Sequence, residues 1–479
     1  MSDTHKTTDK ILSQQLDHIR ELLQKVNVVV SLAHSQVQQR GQILENIARH
    51  QVLAELKSWI QRLHAADIAY LITNLTPDDR MLVWQQIKPS RAGDVLLELD
   101  ETIRKQILSQ IAEPDLLATL DHLDADDLAY LADEIPQTIL EQALKTLSES
   151  ERQFFATSVT FSEDSVGHLT TPSFVAVRDN QTLEQVLLML RQLEDYPSHL
   201  DKLFVLDQRG VFRGLLPIQT LLRNSPEQRV RDLTIVDAVI FHPNDNARDA
   251  AQAFERYDLI SAPVLNERGK LIGRLTVDDI MDYQHTKADE EMLALAGLSR
   301  QEDLFVTIRE GVRNRSVWLM INVCTALVAS RVIGAFESTI AHVVALATLM
   351  PIVASVGGNT GNQTTALMIR YLGMRQLDKQ NIRLMARKEI GITIVIGLML
   401  GAVAGLFAYL IYFNLKLTIV LGVAMLLNLL IASVVGMTVP LSLHKLGRDP
   451  ALGSSILLTA TTDSMGFFIF LGLATLFLI

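Results

Sequence analysis

Asp463 lies deep inside the apolar stretch ILLTATTDSMGFFIFLGLATLFLI at the end of a 479-residue chain. A carboxylate in such a setting is costly enough to be kept mostly where it meets water, a partner or a cation. Thr459 and Thr462 lie within one turn of it, and with backbone carbonyls one turn earlier they supply acceptors around a negative charge. A second polar set interrupts another apolar stretch, ALATLMPIVASVGGNTGNQTTALMIRY. Gly357 and Gly358 permit close backbone approach, while Asn359, Thr360, Asn362, Gln363, Thr364 and Thr365 carry groups that lipid cannot satisfy, so they face protein or water. A phosphate-cradling loop is excluded, because Asn362 follows Gly361 where a lysine would have to reach phosphate. A tight polar seam between helices reads the same residues without any ion.

The elements that carry these residues are five long apolar stretches: Val317–Phe336, Ile340–Ser355, Ile390–Phe413, Leu417–Leu443 and Ala451–Ile479. Most approach or exceed the roughly 20 residues a helix needs to span a bilayer; the second is shorter, but polar small residues extend it. Arg309, Arg313 and Arg315 precede the first; Arg370, Arg375, Lys379, Arg383, Arg387 and Lys388 lie between the second and third. His444, Lys445 and Arg448 separate the fourth from the fifth. Positive loops stay inside, so five spans put the C-terminus outside. Arg331, near the outer end of the first span, is placed to snorkel to the interface. From Gln301 onward 13 Lys+Arg face 8 Asp+Glu, whereas residues 1–300 carry 30 against 46, so the net charge of -11 conceals an acidic front and a mildly basic membrane half. Cys324 alone excludes a disulfide framework or a cysteine-based zinc site. VNVVVSLAH is short, follows a charged amphipathic run and lacks a clear cleavage site, so the first 300 residues are expected in the cytoplasm.

From Leu63 an aliphatic residue recurs every twelve positions: Leu63, Leu75, Ile87, Leu99, Ile111, Leu123, Ile135 and Leu147. A second column follows at Ile72, Trp84, Leu96, Leu108, Leu120, Ala132, Leu144 and Ala156. Cap-like openings such as Thr76-Pro77-Asp78-Asp79 and Asp124-Ala125-Asp126-Asp127 restart a short helix in several units. The pattern predicts a superhelix of two-turn helices that cover one another's apolar faces. Its acids, Asp124, Asp126 and Asp127 among them, form a cation-responsive surface or simply a solvated face whose charges suit helix N-termini. Between Asp164 and Tyr283, KLFVLDQRGVFRGLLPIQTLL and SAPVLNERGKLIGRLTVDDIM repeat one order: strand, Arg-Gly turn, strand, helix.

These two halves resemble a tandem pair of CBS modules. The second keeps that family's nucleotide-contacting pattern as Gly273, Thr276 and Asp279; the first has Pro217 and Thr220 instead. The resemblance implies at most one adenosine site, with ATP as its ligand, and a purely structural pair is the alternative. Over roughly residues 40 to 479 the chain resembles the MgtE family of magnesium channels, on the marks Phe336-Glu337-Ser338, PIVASVGGNTGNQ, Asp449-Pro450-Ala451-Leu452 and Asp463. The implied fold is a multidomain membrane protein: a helical extension (1–40), an α-helical superhelix of short repeats (41–160), an α+β CBS pair (161–284), a long linker or plug helix (285–315) and a five-helix all-α transmembrane domain (316–479).

The resemblance further implies a homodimer in the cell membrane, with a pore lined by the second and fifth membrane helices. Mg²⁺ would be held there by Asp463, Thr459, Thr462, Gly357, Gly358 and Asn359. Closure is implied when Mg²⁺ bridges the acids Asp124, Asp126 and Asp127, Asp278, Asp279 and Asp282 at the end of the CBS pair, and Asp289, Glu290 and Glu291 at the start of the linker helix. A charged linker kept soluble by its acids is the alternative reading of the last group. Mg²⁺ prefers oxygen ligands and dehydrates reluctantly, so a pore of carboxylates and hydroxyls that grips the hydrated ion is chemically apt. Ser455 stands where that family has a pore asparagine, which leaves Co²⁺ and Mn²⁺ open as cargo. An ion-coupled divalent-cation transporter, or a membrane-anchored nucleotide sensor, are the competing functions. Neither a catalytic constellation nor a nucleic-acid-binding pattern is present, so no enzyme activity is expected.

Overall fold

The computed structural model describes residues 12–25, 39–193, 196, 197, 199–295, 298, 308–373, 379–446, 450 and 453–479. Arg375, Arg448, Asp449, Ala451 and Leu452 of the sequence expectations lie outside the described residues. The chain divides into two compact units, Met1–Thr286 and Lys287–Ile479.

The first unit opens with helices α1 (12–25) and α2 (Gln39–Ile60), the latter crossing the expected boundary at residue 40. Eight short helices follow: α3 (Ala65–Thr73), α4 (Pro77–Trp84), α5 (Pro89–Leu97), α6 (Glu101–Leu108), α7 (Glu113–Leu120), α8 (Ala125–Leu131), α9 (Gln137–Ala143) and α10 (Glu149–Ser158). Each starts twelve residues after the last, as the repeat predicts. The first aliphatic column occupies the position before each N-cap, where Leu75, Leu99, Leu123 and Ile135 are buried. In the second column Ile72, Leu96 and Leu120 are buried, but Ala156 is exposed. In α10, the last of the eight, Phe155 turns inward instead. Proline at the first turn of α4 and α5 and the Ser148–Glu151 capping box of α10 set the restarts. Two buried arginines share one repeat position. Arg80 donates to Ile72 O, Thr73 O and Gln106, while Arg104 forks onto Glu134.

The CBS-like pair contains β1 (Ala176–Arg178), α11 (Leu183–Gln192), β2 (Lys202–Leu206), β3 (Phe212–Pro217), α12 (Ile218–Arg223) and α13 (Val230–Leu233), then α14 (Ala247–Tyr257), β4 (Ser261–Leu265), β5 (Leu271–Thr276) and α15 (Val277–Leu295). β1 runs parallel to β2, and β2 antiparallel to β3; β4 pairs antiparallel with β5. The hairpins match residue for residue, Lys202↔Pro217 answering Ser261↔Thr276. Gly210 (φ 81°) and Gly269 (φ 70°) adopt the left-handed turn that the Arg-Gly signal requires. Asp207 and Asn266 cap those turns by accepting from two backbone N–H groups each. α15 differs from expectation. The acids 278–282 and 289–291 were expected to end one element and begin another, yet they lie on a single helix, because no Gly or Pro interrupts Val277–Leu295.

The second unit consists of α16 (Ile308–Gly334), the short α17 (Glu337–His342), α18 (Ala345–Gly373), α19 (Lys379–Tyr412), α20 (Leu415–Lys445) and α21 (Ser454–Leu478). α20 packs against α18, α19 and α21. Among the described residues four helices are long and apolar enough to cross a membrane by length and composition: Gly311–Gly334, Asn381–Tyr412, Leu415–Lys445 and Ser454–Leu478. α18 is of spanning length but more polar. As expected, the polar small residues after Ser355 extend it: the helix continues to Gly373, with its glycines set against neighbouring helices and its amides exposed. Arg331 lies exposed in the last turn of α16.

Candidate functional site

On α21, Ser455, Thr459 and Asp463 recur every four residues and are all partly exposed, so they share one face. The Thr459 hydroxyl donates to Ser455 O at 2.8 Å and keeps its lone pairs free to accept. Among the described residues, no hydrogen bond or ion pair reaches the Asp463 carboxylate. Thr462 does not join this stripe. It is fully buried, and its Oγ1 lies 3.9 Å from where a Cβ on Gly358 would be, because one residue along a helix rotates the side chain away from Asp463's face.

On α18, Ser355, Asn359, Asn362 and Gln363 are exposed at helical spacing, a polar stripe on a helix of spanning length. Gly357 and Gly358 face neighbouring helices instead. A Cβ on Gly357 would meet Asn428 of α20 at 2.3 Å, and one on Gly361 would meet Leu458 at 2.6 Å. α18 and α21 therefore meet along Gly358–Thr462 and Gly361–Leu458, and their two polar stripes flank this seam. The glycines are the seam; Asn359 and Asp463 are its polar edges.

The acids of the first unit do converge. Carboxylate oxygens of Asp124, Asp126 and Asp127, at the start of α8, lie within 4.8 Å of one another. Burial, then Asp126 and Asp124, push the Asp127 carboxyl up to about 7. Asp126 is raised by burial and held back by Thr171, whose hydroxyl donates to it at 2.7 Å. Asp279 rises to about 7, through burial and then through Asp278 and Asp126. Asp282 and Glu98, the C-cap of α5, are both raised by burial, Glu98 further by Asp282. Repeat-domain acids thus face the start of α15 across a partly dry gap, where like charges are costly without a cation. Further along α15, Glu290 accepts from Lys287 at 3.0 Å, and Asp289 and Glu291 lie beside it in sequence.

The nucleotide-type pattern is engaged internally. The Thr276 hydroxyl donates to Asp279. Gly273 has no room for a Cβ, which would meet Thr170 Cγ2 at 2.4 Å and Thr171 O at 2.7 Å. Its bareness admits the Thr170–Thr171 backbone, which pairs with Arg274.

Four residues of these sites are missing from the sequence expectations. Asp94 of α5 and Glu98 at its C-cap stand four apart and could have been found as an acidic pair at helical spacing. Glu389 accepts from Thr364 at 2.9 Å, inside the polar run, and was hidden among Arg387 and Lys388. Asn428, a lone amide in MLLNLLIAS, had no local pattern to announce it.

These features define a multi-pass membrane protein with an acidic helical-repeat domain and a CBS-type pair ahead of its membrane helices. Residues 350–473 match the MgtE divalent cation transporter model, residues 63–164 the MgtE intracellular N domain and residues 230–286 the CBS domain. The magnesium transporter MgtE of Thermus thermophilus is 31% identical over 429 residues, covering 88% of this chain and 95% of that protein. Its namesake in Bacillus subtilis is 26% identical, over 89% of this chain and 94% of that protein. The soluble part of a magnesium transporter, known from a crystal structure, aligns with TM-score 0.44 and 20% identity, over 56% of this chain and 99% of that one. The chain belongs to the MgtE family.

Proposed function

We propose that this protein carries Mg²⁺ passively across the cell membrane, as a homodimer, along a path edged by α18 and α21, and that Mg²⁺ binding to its acidic first unit closes that path. Named magnesium transporters that match nearly nine-tenths of the chain support Mg²⁺ as the cargo. The observation that carries the reading is the Asp463 carboxylate: apolar surroundings, no protein partner among the described residues, and Thr459 and Ser455 aligned one and two turns before it. Two such carboxylates from two copies repel each other, and a divalent ion between them offsets more of that repulsion than a monovalent one. Because Mg²⁺ holds its water, the hydroxyls, Asn359 and the carbonyls act on the hydrated ion through its shell. Five spans, the N-terminal unit inside and the C-terminus outside follow from the positive loops.

Closure follows from the first unit. Mg²⁺ between Asp124, Asp126 and Asp127, Asp94 and Glu98, and the α15 acids Asp278, Asp279 and Asp282 replaces repulsion with attraction, and α15 carries the change along the chain. Asp289, Glu290 and Glu291 extend the same acidic helix. Such a ligand acts only through its greater affinity for the closed arrangement. ATP at Gly273, Thr276 and Asp279 would have to exchange the Thr276–Asp279 bond for ribose contacts; titration calorimetry with ATP, on the protein and on Asp279→Ala, decides that point. Co²⁺ or Mn²⁺ as additional cargo is tested in the same assay as Mg²⁺. Flux into proteoliposomes is the experiment: Asp463→Asn, which deletes charge and preserves shape, loses most Mg²⁺ uptake while the dimer still inserts. Near-normal uptake removes Asp463 from the path.

A further inference from the structure

Asn428 is fully buried in the middle of α20, among apolar neighbours such as Met425 and Leu429. Its Nδ2 donates to Val353 O of α18 at 2.9 Å. Its Oδ1 is also buried and has no hydrogen-bond partner. The carboxamide sits between two glycines on different helices. A Cβ on Gly357 of α18 would come within 2.3 Å of Nδ2, and a Cβ on Gly466 of α21 within 2.7 Å of the same atom. Gly466 lies one turn beyond Asp463, and Gly357 lies beside Gly358, which faces Thr462. One side chain from a third helix is thus wedged between the two helices at the level of the proposed ion site.

A leucine has the same number of side-chain heavy atoms and would leave no carbonyl oxygen unbonded in an apolar interior, which is costly. The amide is therefore explained by what it holds, not by burial alone. Its bond to Val353 O pins it to α18, and in that pose its planar end is the spacer against Gly466. We propose that Asn428 is a positioning residue that sets the separation of α18 and α21 beside Asp463, and through that separation determines which hydrated divalent cation the path accepts. The proposal rests on the assignment of Asp463 to the path. Asn428 need touch no ion itself: it is fully buried and its amide is bonded to Val353 O.

The test uses the full-length dimer in proteoliposomes, with Mg²⁺, Co²⁺ and Ca²⁺ as separate probes, and reads half-saturating concentration, maximal flux and the Mg²⁺/Co²⁺ uptake ratio. Misplacement by 1 Å in a positioned site costs about 100-fold, so a shift of a few tenths of an ångström in Asn428→Leu or Gly357→Ala is expected to move the ratio by about three- to tenfold. Maximal Mg²⁺ flux should change less than the ratio. In the double variant Gly357→Ala/Asn428→Ala the new methyl enters the vacated space, and the ratio should return toward the starting value. Should Asn428→Leu fail to insert, Gly466→Ala presses on the amide from the other side and carries the same expectation. Unchanged ratio and half-saturation in a correctly assembled variant overturn the proposal, as does a fall in maximal flux and melting temperature with the ratio intact. Asp463→Asn run in parallel separates the two readings: normal flux there defeats the path itself, whereas lost flux there with unmoved ratios in the Asn428 series defeats only the spacer.

Discussion

Arg104 and Glu134 form two parallel bonds of 2.8 and 2.7 Å, and both side chains are almost wholly out of water. Removing one partner strands the other charge, so Glu134→Ala should lower the stability of the repeat domain by about 3–5 kcal/mol. Replacing both by apolar residues of similar volume should cost far less, and thermal unfolding of the two variants compares them directly. Neither buried arginine was anticipated, since the twelve-residue pattern registers only apolar residues. Asp127 and Asp279 pose a different problem. Both have folded values near 7 against an ordinary 3.8. Their folded forms therefore bind protons more tightly than the unfolded chain, so their favourable contribution is complete below pH about 4 and is lost as the pH rises through about 7. Without Mg²⁺, the first unit should resist protease better at pH 6 than at pH 8. Because Mg²⁺ needs the ionised carboxylates, its protective effect should grow over the same rise; equal protection at both values, with and without Mg²⁺, would contradict the acidic interface.

At the scale of elements, the two-turn helices were legible because their period is strict: eight starts twelve residues apart leave little freedom. Matching CBS-type hairpins were legible from their Arg-Gly turns, as was the weaker first half, which carries Pro217 where the second has Thr276. The extension of α18 through its polar small residues was legible as well; which of them pack was not, because Gly357 and Gly361 find their partners Asn428 and Leu458 far along the chain. Gly273 was read as a ligand contact, yet its space is taken by Thr170 and Thr171, and Thr171 in turn bonds Asp126. Gly273→Ala should therefore loosen the contact between β5 and the start of α8, seen as faster cleavage between α10 and β1 in the presence of Mg²⁺. Cleavage at the parent rate would show that the methyl is absorbed without moving Thr171. In the membrane unit, α19 and α20 approach so closely that a Cβ on Gly401 would lie 2.9 Å from Gly422 O. Gly401→Leu should separate them and lower the melting temperature in detergent, whereas Gly391→Leu, where the structure leaves open space, should not.

At the scale of the whole molecule, the sequence separates an acidic front from a membrane half by charge alone, and family membership explains why one chain holds both. The positions of Glu389 and Asn428 were beyond reach because each is defined by a partner distant in sequence. The proposed function couples two sites: acids of the first unit that would collect Mg²⁺ and a carboxylate of the second that would pass it. Excised-patch recordings, with Mg²⁺ varied on the face that bears the first unit, test this most directly. The parent protein should conduct at low Mg²⁺ and close as it rises. In Glu98→Ala/Asp127→Ala/Asp282→Ala, conduction should persist at Mg²⁺ concentrations about tenfold or more higher, an amount equal to losing about 1.4 kcal/mol of preference for the closed state. Inhibition at the same Mg²⁺ concentration in parent and triple variant would contradict the account.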